Sequence, residues 1–176
     1  MSLADLVNNN LKGFDPKKDN INGGGNGLPA GDYKVSISEA GHTVYKSGYD
    51  CLKFKFEVIE GEHTGESELM NVSFAETSKK GNPIPDFVLE RNMKTILTLS
   101  ELMDAGVTSD MFLLGNETDI HVAIDKRIHD KVGVVVNMNI SERPNKKDPS
   151  NPYKEYEFSE AKQPENIDID DDDLPF

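Results

Sequence analysis

Residues 31–58 read GDYKVSISEAGHTVYKSGYDCLKFKFEV, and their period decides the fold. Tyr33, Val35 and Ile37 alternate with Lys34, Ser36 and Ser38, the two-residue repeat of a strand with one buried face. Lys46-Ser47-Gly48 supplies a turn. Leu52, Phe54, Phe56 and Val58 then alternate with Lys53, Lys55 and Glu57. Two such runs joined by a short glycine-bearing turn predict an antiparallel hairpin.

Working outward, Met70, Val72 and Phe74 alternate with Asn71 and Ser73 after a break at residues 61–65, which extends the hairpin to a three-stranded meander. Asn82-Pro83-Ile84-Pro85 ends this texture, and Asp86 is positioned to cap a helix. Leu89, Met93, Ile96, Leu97 and Met103 share one helical face, and Gly106 lies just past its end. A short helical piece is expected over Ser109–Leu114. Alternation then returns twice, in Ile120, Val122 and Ile124 around His121 and Ala123, and in Val132, Val134, Val136, Met138 and Ile140. ERPNKKDPSNP (142–152) reads as a loop, and YKEYEF (153–158) as a final strand, either the fifth or a sixth. Three strands, one helix and two or three strands is the order of an OB-fold, a small antiparallel Greek-key barrel with its helix between strands 3 and 4. The fold class expected is mainly β.

Towards the amino terminus, Leu3, Leu6, Val7 and Leu11 have helical spacing, and DPKKDNINGGGNG (15–27) reads as a flexible linker. GGGNG lacks the Lys-Ser/Thr and the preceding strand of a phosphate loop. The organisation expected is an amino-terminal segment and linker over 1–27, a barrel domain over 28–160 and a disordered acidic tail over 161–176.

Composition narrows the function. No run of apolar residues approaches a membrane span, and MSLADLVNNNLKGF lacks the basic start of a secretory signal. Cys51 is the only cysteine, so neither an internal disulfide nor a cysteine-based metal site is available. A cytoplasmic protein is expected. Histidines stand singly at 42, 63, 121 and 129, with no HExxH pair or nucleophile elbow, so neither an enzyme nor a cofactor is expected. His121 is expected on a strand, facing outward or satisfied inside the barrel. The aspartate run near the carboxyl end lacks the folded loop that a specific metal site needs, and no metal is assigned to it. Net charge is −13; removing the six acidic groups of residues 164–176 leaves −7 for residues 1–163. Residues 126–154 nevertheless carry seven basic side chains against three acidic ones.

The chain closes on DIDDDDLPF (168–176), an acidic run tipped by Leu174, Pro175 and Phe176. An apolar triplet beyond a run of charges cannot serve a core, which points to another protein. DDDDLPF is similar to the carboxyl-terminal tip of bacterial single-stranded DNA-binding proteins. Residues 28–160, from LPAGDYKVSI through LKFKFEVIEGEHTG to the later strands, resemble the small phage-encoded single-strand binders. The resemblance implies an OB-fold that coats exposed single strands in DNA replication and recombination. It also implies a tail, Asp170, Asp171, Asp172, Asp173, Leu174, Pro175 and Phe176, that recruits DNA-processing enzymes. A phage source would place the protein in the host cytoplasm. The chain has no Trp, and its amino-terminal half departs from the bacterial proteins, so their tetrameric assembly is not carried over and homo-oligomerisation stays open.

Single-strand binding without sequence preference needs cations for phosphates and aromatic faces for bases. If Phe54 and Phe56 face inward, Lys53 and Lys55 face outward on strand 2, where OB-folds usually bind oligonucleotides. Lys79 and Lys80 lie in the loop leaving strand 3. Arg143, Lys146, Lys147 and Lys154 surround the late loop beside Tyr153 and Tyr156, and Tyr49 sits in the first hairpin turn. Tyr153 is expected to point outward, whereas Tyr156 shares its parity with Phe158 and also suits the core. The rival reading is an acidic β-rich interaction or assembly protein that binds no nucleic acid.

Overall fold

The computed structural model describes Ala4 and residues 27–165. Apart from Ala4 and Gly27, the expected amino-terminal helix and linker, and the tip from Asp168 to Phe176, lie outside the described residues. Strands β1 (Gly31–Val44), β2 (Asp50–Val58) and β3 (Ser67–Val72) form the expected meander. Helix α1 (Asp86–Met103), a 3-10 turn (Ser109–Leu113) and helix α2 (Glu117–Ile128) follow, then strands β4 (Val135–Arg143) and β5 (Tyr153–Glu160). The five strands make one antiparallel sheet in the order β3-β2-β1-β4-β5.

Two expectations need correction. Ile120–Ile124 is not a strand but part of α2, so two helices rather than one separate β3 from β4, and Tyr153–Glu160 is the fifth strand. Local chemistry explains the helix. Asn116 caps it, its side-chain oxygen accepting the Asp119 N–H at 2.9 Å. Glu117 and Asp119 occupy the first turn, and Lys126 and Arg127 the last, each favourable to the helix dipole. Ile120, Ile124 and Ile128, four residues apart, are all buried. At α1, the capping position belongs to Pro85; Asp86 is the first helical residue, and no side-chain cap bond forms.

Phe54 and Phe56 of β2 are stacked and buried with Val35, Ile37 and Met138, while Ile96, Leu99 and Met103 of α1 close the same core. The end strands, β3 and β5, share no backbone pairing among the described residues. They are nevertheless drawn together by one buried carboxylate. Glu68 of β3 accepts from Lys154 Nζ at 2.9 Å and from Tyr156 Oη at 2.6 Å, both on β5, and from the Leu28 N–H at 2.5 Å. Lys154 also donates to the Leu28 carbonyl at 2.8 Å. Leu28, itself buried, is thereby held across the seam between the two end strands.

Beyond Ile37, β1 is no longer flanked by β4, and α2 lies against it. Asp125 of α2 accepts the His42 N–H at 2.9 Å, satisfying a strand edge with a helix side chain. Gly41 makes this approach feasible, since a Cβ there would stand 2.6 Å from Asp125 Oδ1. Packing also runs past the expected boundary at residue 160. Ala161 is buried, and the Gln163 amide bonds both the N–H and the carbonyl of Val135, at 2.9 and 2.7 Å.

Candidate functional site

The outer face of β2 and β3 is built by parity. With Leu52, Phe54, Phe56 and Val58 buried, Lys53 and Lys55 must take the opposite side. Leu69 and Asn71 of β3, paired with Lys55 and Lys53 in register, join them there. Lys53 meets Glu39 of β1 at 3.0 Å, and that hydrogen-bonded ammonium holds the Glu39 carboxyl below its ordinary range.

At one end of this face stands the β1–β2 turn. Gly48 supplies its left-handed position, φ +85°, where a side chain would be strained. The turn carries Tyr45 and Tyr49, whose rings lie near-parallel at 19° with centroids 6.2 Å apart. Burial pushes the Tyr49 phenol above its ordinary pKa, yet the side chain keeps 38% of its surface exposed. Tyr45 donates its hydroxyl to Asn71 Oδ1 at 3.0 Å, fixing the turn against β3. The loop after β3 folds into a small hairpin, with Ser78 N–H bonded to the Asn82 carbonyl and a Thr77–Pro83 bridge. Lys79 and Lys80 sit at its tip, and Lys79 reaches the Ser47 carbonyl at 2.5 Å, joining the two loops.

The late loop marks the other end. Arg143 lies over the Tyr153 ring at 5.5 Å and meets Glu155 at 3.5 Å; Tyr153 is half-exposed and points outward. Lys146 and Lys147 are exposed in the same loop. Because Lys154 and Tyr156 reach Glu68 near the start of β3, and Tyr45 reaches Asn71 near its end, the two aromatic groups bracket β3. At ~3.3 Å per residue the three steps from Glu68 to Asn71 span about 10 Å.

Not every expected residue joins this surface. Lys154 and Tyr156 turn inward to Glu68, because their parity is that of Phe158, which packs on Phe56. Tyr45, Leu69 and Asn71 were not anticipated. The signal for Tyr45 was its place in the same turn as Tyr49, and for Leu69 and Asn71 the alternation with buried Met70 and Val72.

Behind the turn, Asp50 organises a second polar cluster. Its Oδ1 accepts from His42 Nε2 at 2.8 Å and from His121 Nδ1 at 2.6 Å, and its Oδ2 from Thr118 Oγ1 at 2.9 Å. The ligand-type atoms of His42, Asp50 and His121 lie within 4.8 Å of one another. The hydrogen bonds do not fit a metal centre. His121 Nε2 accepts the Phe74 N–H at 3.0 Å, so the ring proton sits on Nδ1 and fills the lone pair a metal would need. His121 is therefore a buried helix residue satisfied on both nitrogens, not a strand residue. Burial lowers its pKa, partly offset by Asp50. For Asp50, burial raises the pKa, but the hydrogen bonds from His121, Thr118 and His42 outweigh it and hold the carboxyl low. The cluster ties the β1–β2 turn to α2 and to the chain leaving β3.

Comparison with known proteins adds one partial match. Residues 14–86 match a family described as a protein of unknown function, DUF669. Among the described residues, the match takes in β1, β2 and β3 and stops at the first residue of α1. No curated protein matches the chain. No helix of the described residues is long and apolar enough to cross a membrane.

Proposed function

We propose that this protein binds single-stranded DNA across the outer face of β2 and β3, and that its sheet is an OB-type barrel. The barrel reading is supported by the strand order β3-β2-β1-β4-β5, by the helices between β3 and β4, and by the Glu68 contacts across the seam. The observation that carries the function is the grouping of Lys53, Lys55 and Lys79 with the pair of half-buried Tyr45 and exposed Tyr49. Cations take phosphates and aromatic faces take bases, which is what sequence-tolerant single-strand binding requires. The role is non-catalytic, in DNA replication or recombination in the cytoplasm of the cell that makes it. The tail from Asp170 to Phe176 recruits processing enzymes, its ring entering an apolar pocket and its carboxylates meeting basic groups.

Titration of a labelled oligo-dT with duplex competitor tests this reading. Single strands should bind well above duplex, and affinity should fall steeply with added salt, by a log–log slope of about 0.7 per phosphate contact. Equal or tighter duplex binding would sink the proposal. The charge of −7 over residues 1–163 favours the second reading, an interaction protein without nucleic acid. That reading is selected if no salt-sensitive DNA binding is found.

A further inference from the structure

The stacked tyrosines and the amide beside them form a unit with a direction. Tyr45 donates to Asn71 Oδ1 at 3.0 Å, so the oxygen of that amide is engaged. Amide oxygen and nitrogen diverge from one carbon, so Nδ2, with two donor hydrogens, is turned away from Tyr45. Asn71 is exposed on the outer face of β3, beside the tyrosine pair that its oxygen contacts.

We propose that Asn71, oriented by Tyr45, reads the base stacked at this position and favours bases that carry a ring carbonyl over adenine. The inference rests on the reading of this face as a single-strand interface and names its selectivity. Asparagine normally recognises adenine with both ends of the amide, the oxygen accepting from N6 and the nitrogen donating to N7. Here the hydroxyl of Tyr45 takes the oxygen, and half of that pairing is lost. The donor that remains still reaches adenine N7, but there it meets the N6 donor alongside, whereas guanine and hypoxanthine place the O6 carbonyl beside N7 and thymine offers O4.

Hypoxanthine and adenine separate hydrogen bonding from stacking, because both are two-ring purines that differ only at C6 and at N1, which carries a proton in hypoxanthine. The test uses the full chain and an oligo-dT of roughly 8–16 nucleotides with one hypoxanthine or one adenine moved along it. At one position hypoxanthine should bind roughly three- to tenfold tighter, the worth of one net hydrogen bond. Asn71→Ala should bring that ratio close to one. Tyr45→Phe keeps the ring but not the hydroxyl, and it should lower the ratio as well. A ratio of one in the unaltered protein, or a preference that survives Asn71→Ala, overturns the reading role. If single strands are still preferred over duplex, the interface itself stands. Loss of that preference in the unaltered protein overturns both.

Discussion

Glu68 is 2% exposed and carries a full set of partners, so its charge is tolerable only while they remain. Burial first, and the nearby carboxylate second, push the Tyr156 phenol far above its ordinary pKa, which keeps it a donor. Glu68→Ala leaves the Lys154 ammonium beside a vacated carboxylate site. It should destabilise the fold by about 3–5 kcal/mol, as loss of one member of a buried pair does. Urea denaturation measures this, and a change under ~1 kcal/mol would make the contact incidental. His121 sets a pH dependence of definite sign. Its folded pKa lies below the unfolded value of about 6.5, so the unfolded chain takes up the proton first as pH falls. Stability is therefore full above about pH 6.5 and declines below it. Asp50, also held low, adds to the loss at still lower pH, below its ordinary carboxylate range. Melting temperature followed from pH 8 to pH 5 should fall, and it should fall less in His121→Gln; an unaltered slope in that variant would clear His121 of the effect.

At the scale of elements, the contact between α2 and β1 depends on a missing side chain. Gly41→Ala places a methyl group where Asp125 reaches the His42 N–H. Either the strand shifts or the cap is lost, and a cost of about 1–3 kcal/mol is expected by chemical denaturation. A neutral result would mean that α2 is free to slide. The meander was legible because its alternation is strict and its turn is marked by Gly48. α2 was misread because Ile120 and Ile124 fit both a two-residue and a four-residue period, and Val122 between them completed the strand pattern. His121 and Lys126 separate the two, since a strand would set Lys126 on the face of Ile120, Ile124 and Ile128 and His121 on the other, whereas the helix capped by Asn116 buries His121 with the three isoleucines and leaves Lys126 exposed. On β2 the outward parity of Lys53 and Lys55 was legible from alternation alone. Tyr156 already shared the inward parity of Phe158, but Glu68, the partner of Lys154 and Tyr156, lies 86 and 88 residues away in sequence. A buried carboxylate on a strand otherwise facing apolar neighbours has no local signature.

Across the whole molecule, residues 164–176 carry six acidic groups and no basic one, while Lys53 and Lys55 lie on one sheet face and Arg143, Lys146 and Lys147 at the late loop. A tethered polyanion competes with DNA for such cations at high effective concentration. Removal of Asp168–Phe176 should keep or raise single-strand affinity, most clearly at low salt where screening is weakest. Phe176→Ala keeps every carboxylate and should abolish capture of processing enzymes while DNA affinity stays at the full-length level. Normal capture by that variant in a pull-down would reduce the tip to a solvated end. The Glu68 seam also imposes an order in time. Synthesis proceeds at about 5–20 residues per second, so roughly 4–17 s separate the emergence of Glu68 from that of its partners on β5. For that interval the nascent chain lacks the two β5 donors to Glu68, and of these three partners only the Leu28 N–H has been made. In the finished protein the same join carries no backbone pairing among the described residues, and its amides should report it. Protons on β3 should exchange with deuterium before those of β1 between Gly31 and Ser36, which has a strand on each side.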